Sequence, residues 1–141
     1  MKRLFIFLLF TSSLLTLASA EGLEEFEQII NTITYDPYHD IKEWNRNEYW
    51  QSPDETRLLQ RGDCEDLCLL LMDDLNTVGI ESFLIVINLP NDNIYHTLVR
   101  VDEVVYDPST KQVFPTSALT YMNVYYILTR EQAFTTMKER K

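Results

Sequence analysis

The chain contains few of the residues that build metal and redox sites, with two cysteines and two histidines among 141 residues. Two cysteines are too few for the disulfide framework typical of small exported domains. Cys64 and Cys68 are spaced C-x-x-x-C, which differs from the C-x-x-C of thiol redox proteins. His39 and His96 would complete a set of zinc ligand types, but in no recognised spacing. Redox and zinc proteins are therefore the less favoured classes.

Basic residues are also scarce, with 12 Lys and Arg against 22 Asp and Glu and a formal net charge of -10. A chain this acidic is repelled by the phosphates of nucleic acids and by anionic membrane surfaces. We therefore expect no nucleic-acid partner. Cations and basic peptides remain as partners, although the charge alone would also keep an exported protein soluble.

The first twenty residues have the layout of a secretory signal. Lys2 and Arg3 supply the positive end, and residues 4–17 form an apolar stretch that polar residues interrupt at 11–13. This stretch is shorter than the ~20 apolar residues that a membrane-spanning helix needs. The small residues at 18–20 are typical of a cleavage site.

This processing defines the expected domain organisation. We expect a signal peptide at residues 1–20 and a single domain at residues 21–141, which is a suitable length for one compact core. The protein is then periplasmic or secreted, with no stable membrane span. The alternatives are an anchor that is not cleaved and a buried core helix.

Hydrophobic periodicity predicts a chain in which helices come first and an antiparallel sheet follows. The predicted helices cover residues 23–34, 40–47, 64–76 and 130–139. The predicted strands cover residues 82–89, 94–101, 104–107, 112–114 and 124–128, with a turn at 90–93. We expect packed loops in the rest of residues 35–62, where aromatic residues are frequent. The predicted fold class is therefore α+β.

Cys64 lies where a nucleophile is favoured, at the first position of the helix predicted to begin after Asp63. Exposed backbone N–H groups and the positive end of the helix dipole favour the thiolate over the thiol there. Asp63 is the natural N-cap, with Asp66 three positions on. Cys68, one turn further along the apolar stripe, is typical of a small core residue. A bridge between the two cysteines would be strained, so we expect at least one free thiol.

His96 is the candidate base for this thiol, and Asp107 is the residue that would orient it. A two-residue turn at 102–103 sets a hairpin register in which Leu98 lies opposite Asp107. His96 shares a face with Leu98, so His96 and Asp107 become diagonal neighbours on one side of the sheet. The alternatives are an ordinary hydrogen-bonded histidine and an Asp-Pro turn with Pro108, and the turn is compatible with the catalytic role.

Four segments carry a family resemblance: residues 49–56, 62–67, 95–101 and 105–108. Their blocks GDCED, HTLVRV and YDP resemble those of the bacterial transglutaminase-like cysteine peptidase family, within the papain-like and transglutaminase-like superfamily. The resemblance extends over roughly residues 23–110. It implies N-terminal helices and a nucleophile at the start of a central helix that packs on an antiparallel sheet. It also implies a catalytic triad of Cys64, His96 and Asp107.

The resemblance implies an exported cysteine hydrolase or acyltransferase, and first of all a protease that cleaves amide bonds through a thioester intermediate. The backbone N–H of Cys64 is the expected oxyanion donor, with the side chain of Gln51 or Trp50 as a second donor. The substrate would be a protein or peptide of the cell envelope. The chemistry itself requires no cofactor.

The resemblance also raises the question of calcium. Some periplasmic members of the family depend on calcium through acidic residues that flank the cysteine, and the matching residues are Asp63 and Glu65. Carboxylate oxygens suit this ion, but two carboxylates fall short of the roughly six to eight oxygens that it takes. The alternative is that Asp63 caps the helix and Glu65 complements its dipole.

Two other functions are compatible with the same residues. One is a catalytically inactive transglutaminase-like binding or calcium-sensing module, which keeps the three residues only as a hydrogen-bonded polar cluster. The other is a transglutaminase that cross-links proteins, because the same three residues serve hydrolysis and transamidation equally. The sequence leaves open the substrate and whether a regulatory protein partner controls the site.

Overall fold

A computed structural model describes residues 22–45, 48–89 and 94–141 of the chain. The predicted signal peptide and the predicted turn at 90–93 lie outside these residues. The α-helices of the described part are α1 (Leu23–Thr32), α2 (His39–Trp44), α3 (Pro53–Leu59), α4 (Cys64–Thr77) and α5 (Arg130–Glu139). Its strands are β1 (Thr34–Tyr35), β2 (Arg61–Gly62), β3 (Phe83–Asn88), β4 (Tyr95–Val101), β5 (Val104–Asp107), β6 (Gln112–Pro115) and β7 (Asn123–Thr129). None of the described helices is long and apolar enough to cross a membrane.

Five strands form one sheet in the order β6-β5-β4-β3-β7. Every neighbouring pair in this sheet is antiparallel. The predicted α+β class with an antiparallel sheet is therefore confirmed. β1 and β2 form a separate parallel pair, and β2 leads through a single residue into α4.

α4 is the central helix, and its leucines anchor it to one side of the sheet. Leu67, Leu71 and Leu75 are at most 1% exposed and recur every four residues, as an amphipathic helix requires. The same core cluster contains the sheet residues Val99 and Tyr106. Fully burying a leucine side chain contributes roughly 1.5–3 kcal/mol, so this stripe fixes the helix on the sheet. The packing of this leucine stripe therefore determines where the first turn of α4 lies.

The opposite side of the sheet is buried as well. Ile85, Leu98 and Val105 belong to a second cluster, which packs against Leu119 of the 3₁₀ segment Thr116–Tyr121. Because both sides are covered, the sequence of β3 is almost continuously apolar rather than alternating. This is why the sequence indicated a strand at this point without indicating which of its side chains face α4.

The predicted elements agree with the observed ones to within a few residues, except in residues 35–62. One short helix and packed loops were predicted there, whereas the structure contains α2, α3 and the β1–β2 pair. The sequence did contain a signal for α3. Ser52 is the N-cap, Pro53 is the first residue of the helix, and Glu55 completes a capping box with Ser52. The N–H of Ser52 donates to the Glu55 carboxylate at 2.6 Å. A helix of 7 residues is too short for hydrophobic periodicity to reveal.

Gly62 is required by a close approach at the entry to α4. It pairs with Tyr35 across the β1–β2 pair, one residue before the N-cap Asp63. A Cβ atom at Gly62 would lie 2.6 Å from Cβ of Asp66 and 2.8 Å from its Oδ2. Asp66 cannot retreat easily, because its carboxylate accepts the N–H of Asp63 at 3.2 Å and the N–H of Gln51 at 2.8 Å.

We expect Gly62→Ala to lower the free energy of unfolding by about 1–3 kcal/mol, the usual cost of forcing an extra methyl group into a packed site. The control is Gly79→Ala, where a Cβ would meet nothing within 4 Å and only a φ of +80° opposes the change. Urea denaturation measures both variants. An unchanged midpoint for Gly62→Ala would contradict the close approach described for the entry to α4.

Candidate active site

Cys64 occupies the first position of α4, as predicted, and is half-buried. Asp63 and Asp66 form the expected capping box, in which each side chain accepts the backbone N–H of the other residue. The thiol of Cys64 donates to Oε2 of Glu65 at 3.2 Å. The start of the helix therefore presents the sulfur beside carboxylates.

The pKa of the Cys64 thiol is raised well above its ordinary value, first by burial and then by the charges of Glu65 and Asp63. The helix N-terminus was expected to favour the thiolate, but these two carboxylates oppose the helix dipole. Thr97 of β4 lies beside the sulfur, and its hydroxyl acts on the pKa in the opposite direction. Cys68 is fully buried and also lies beside Thr97, and both thiols are free.

His96 and Asp107 meet across the β4–β5 hairpin. Val101 pairs with Val104, which is the register predicted from the two-residue turn. Nε2 of His96 and Oδ2 of Asp107 are 2.8 Å apart. Oδ1 of Asp107 accepts the N–H of Ser109 at 3.1 Å and its hydroxyl at 2.7 Å. The carboxylate is thus held through both oxygens, one of them by the histidine ring.

The pKa of Asp107 falls to about 2. Burial alone would raise it, but the hydrogen bond and the charge of His96 lower it by more. Hydrogen bonds from Ser109 and Thr110 act in the same direction as His96. The carboxylate is therefore ionised at neutral pH, where it can stabilise a positively charged imidazole ring.

The side chains of His96 and Thr97 point to opposite sides of the sheet, because successive side chains of a strand alternate. Thr97 shares the α4-facing side with Val99, and it lies beside Cys64. His96 shares the other side with Leu98, which belongs to the second core cluster. The ring of His96 must therefore reach Cys64 around the start of β4, and this contact stays a prediction.

Tyr35 of β1 lies near both parts of the site. Its pKa is raised to about 12, mainly by burial, and the charges of Cys64 and Asp107 both contribute. The sequence offered no signal that would have assigned Tyr35 to this site.

The side chains predicted as second oxyanion donors are engaged by other acceptors. Gln51 is fully buried, and its Nε2 donates to the Asp66 carboxylate and, at 3.4 Å, to a backbone carbonyl. Nε1 of Trp50 donates to Glu48 at 3.3 Å. Either side chain would have to leave these acceptors before it could bind an oxyanion. The N–H of Cys64, at the first helical position, has no partner within the helix.

Three carboxylates form a compact acidic cluster beside Cys64. One oxygen each of Asp40, Asp63 and Glu65 lie within 4.8 Å of one another. Asp40 is 4% exposed and Glu65 is 8% exposed, so water screens their repulsion poorly. Burial together with neighbouring carboxylates raises the pKa of Asp63 and of Glu65. Hard oxygen ligands in such a cluster suit a divalent cation such as calcium.

Asp40 is the member of this cluster that the sequence did not indicate. It lies in the first turn of α2, and its carboxylate accepts the N–H of Tyr49. No spacing rule connects it with Asp63, because only the packing of α2 near β2 brings the two together. In the part of the chain that the structure describes, the cluster of side chains that could hold a metal ion contains neither cysteine nor histidine. The zinc set of both cysteines with His39 and His96 is therefore not assembled there.

No protein-family model matches the chain, and no curated protein matches it. Solved structures of LapG from Legionella pneumophila do match. The EGTA-treated form aligns with a TM-score of 0.60 and 22% sequence identity, over 76% of this chain and 61% of that chain. The calcium-bound form aligns with a TM-score of 0.62 and 18% identity, over 84% of this chain and 78% of that chain.

A third LapG structure gives a TM-score of 0.61 and 17% identity, over 84% of this chain and 78% of that chain. In the match to the EGTA-treated form, this chain spans 61% of the length of its neighbour. Identities of this size establish the fold alone. The chain has the transglutaminase-like fold of LapG, which is the fold that its sequence motifs implied.

Proposed function

We propose that the protein is an exported cysteine peptidase of the transglutaminase-like kind. Cys64 is the nucleophile, His96 is the base that takes its proton, and Asp107 orients the ring. The observation that carries the proposal is the 2.8 Å hydrogen bond between His96 and Asp107, in a chain whose central helix begins with Cys64. A histidine held by a buried carboxylate close to a thiol is what nucleophilic catalysis needs.

The proposed mechanism assigns one role to each nitrogen of His96. Asp107 holds Nε2, which leaves Nδ1 to exchange a proton with the thiol. Sγ of Cys64 attacks the carbonyl carbon of an amide bond while its proton passes to Nδ1, and the backbone N–H of Cys64 stabilises the oxyanion. The imidazolium then gives its proton to the leaving amine, the C–N bond breaks, and a thioester remains. Water resolves the thioester and restores the thiol.

The predicted signal peptide at residues 1–20 would direct this chemistry to the periplasm or outside the cell. A protein or peptide of the cell envelope is the proposed substrate, because it supplies the amide bonds that an exported peptidase meets. Nucleic acid is not proposed as a partner, since the chain carries a net charge of -10.

Asp40, Asp63 and Glu65 are proposed to bind a calcium ion. They fit the ion in chemistry, because three carboxylates offer hard oxygen donors and up to six oxygens if each binds through both. Oδ1 of Asp63 is buried without a hydrogen-bond partner among the described residues. A bound ion would neutralise the acidic cluster beside Cys64 and tie α2 to the start of α4. The calcium-bound form of LapG, which has the same fold, supports the proposal.

The same acidic cluster favours one alternative, a calcium-sensing module without catalysis. Such a module needs Asp40, Asp63 and Glu65 but does not need Cys64 to meet His96. A cross-linking transglutaminase differs from a peptidase only in the last step, where a primary amine rather than water resolves the thioester.

The purified protein is expected to create new peptide termini in a preparation of exported proteins, and Cys64→Ala is expected to abolish them. His96→Ala should abolish them too, because no base then takes the thiol proton. Cys68→Ala is the matched control, since it removes a buried thiol one turn away at a cost in stability of about 1 kcal/mol. Mass spectrometry of protein termini is the measurement.

Two results of this experiment would redirect the proposal. Termini that persist in Cys64→Ala arise from a contaminant, and their persistence would remove the case for catalysis. Incorporation of a labelled primary amine in place of new termini would identify a cross-linking enzyme.

Calcium is expected to raise the melting temperature, and a chelator to reverse the rise, because an ion that binds only the folded state stabilises it. At a free concentration of roughly one hundred dissociation constants the gain is about 2.7 kcal/mol. Asp40→Asn should remove most of the shift without altering the residues next to the cysteine. Glu27→Gln, an exposed acidic residue of α1, controls for the loss of one charge. An equal shift in wild type and Asp40→Asn contradicts the proposed site.

Asp107→Asn tests the charge of the pair through stability. The pKa of Asp107 in the folded protein, about 2, lies below its ordinary value of 3.8. The ionised carboxylate therefore stabilises the fold, and this stabilisation is fully present at pH values above 3.8. The contribution is about 2 kcal/mol and is lost as the pH falls through the folded pKa. The difference between wild type and variant in urea denaturation should therefore shrink below about pH 4. A difference that is constant down to about pH 3 would mean that the charge contributes nothing.

A further inference from the structure

Three tyrosines form a row on the sheet, called here the tyrosine ladder: Tyr95 of β4 with Tyr125 and Tyr126 of β7. The ring centroids of Tyr95 and Tyr125 are 5.0 Å apart, and those of Tyr125 and Tyr126 are 5.1 Å apart. Tyr95 is 51% exposed and Tyr125 is 61% exposed. Contiguous aromatic rings that remain in water are typical of a surface that binds something.

An irregularity in β7 builds the ladder. Val86 of β3 pairs with Tyr126, and the next residue of β3 pairs with Val124, so Tyr125 is an extra residue. In a regular strand Tyr125 and Tyr126 would point to opposite sides of the sheet. The bulge brings both rings into contact on one side, where Tyr125 also meets Tyr95 across β3.

The ladder adjoins the candidate active site. Tyr95 and Thr97 are two positions apart on the same side of β4, with Cα atoms about 7 Å apart. Thr97 lies beside Cys64, and His96 stands between Tyr95 and Thr97 in sequence. At its other end the ladder continues into Tyr126, which packs against the main core cluster. A peptide whose amide bond reaches the sulfur can therefore lie across the ladder.

We propose that the tyrosine ladder binds an aromatic or large aliphatic side chain of the peptide substrate. The inference rests on the proposed peptidase function and adds the class of substrate. The rings carry no formal charge, so they favour an apolar side chain, and the chain's net charge of -10 disfavours an acidic peptide. At about 3.3 Å per residue of extended chain, the bound side chain belongs to a position two or three residues from the cleaved bond.

Binding is measured in the Cys64→Ala protein, so that the result does not depend on cleavage. The probes are the blocked peptide acetyl-Gly-Gly-Phe-Gly-Gly-amide and the same peptide with Ala in place of Phe. NMR shifts of the tyrosine rings report the affinities. We expect the Phe peptide to bind about threefold to tenfold more tightly than the Ala peptide, as one aromatic contact provides.

Substitutions in the ladder should change this preference. Tyr125→Ala should remove it, and Tyr125→Phe should retain it, because the ring and not the hydroxyl makes the contact. Tyr121→Ala is the control, since Tyr121 is 94% exposed and lies outside the ladder. In wild-type protein that cleaves, the new termini should carry aromatic or large aliphatic residues near the cut, and Tyr125→Ala should lose this enrichment.

Equal binding of the two peptides, or an unchanged preference in Tyr125→Ala, would overturn the inference. Self-association that buries the ladder between two copies of the chain, detected by sedimentation velocity without peptide, would overturn it as well. The proposed function fails in a different way: wild-type protein creates no new termini while the Phe peptide still binds the ladder. That result would support a peptide-binding surface and remove the catalytic step.

Discussion

The buried carboxylate of Asp66 holds together the segments that form the candidate site. It accepts the N–H of Asp63 at the entry to α4, and it accepts both the backbone and the side-chain N–H groups of Gln51. Burial raises the pKa of Asp66 to about 8, and these hydrogen bonds offset part of that cost. Gly62 leaves the space that Asp66 fills. The start of α4, and Cys64 with it, is therefore held by this group in addition to the leucine stripe.

The same arrangement concentrates acidic groups where the chemistry is proposed. Asp63 and Glu65 flank Cys64 in the sequence, and Asp40 joins them from α2. Carboxylates that are poorly screened by water repel one another strongly, and a divalent cation between them replaces that repulsion with attraction. The thiol responds to the same charges, because Glu65 and Asp63 raise its pKa. In the proposed function, cation binding and the reactivity of the sulfur would therefore be coupled through shared residues.

Short-range rules predicted those parts of the site whose members are close in the chain. The capping box of α4 and the hairpin register that joins His96 to Asp107 needed only local spacing, and both are observed. Asp40 could not be predicted in this way, because tertiary packing alone brings it to Asp63. The bulge at Tyr125 could not be predicted either, since it interrupts the alternation on which strand patterns depend.

The contact between Cys64 and His96 is harder to predict than the position of either residue, for a geometric reason. Thr97, and not His96, lies on the side of β4 that faces α4. The ring of His96 reaches the thiol only if the first turn of α4 extends past the start of β4. The angle at which α4 crosses the sheet decides this, and packing of the whole leucine stripe sets that angle. The hydrogen bond to Asp107 holds the ring close to that end of the strand.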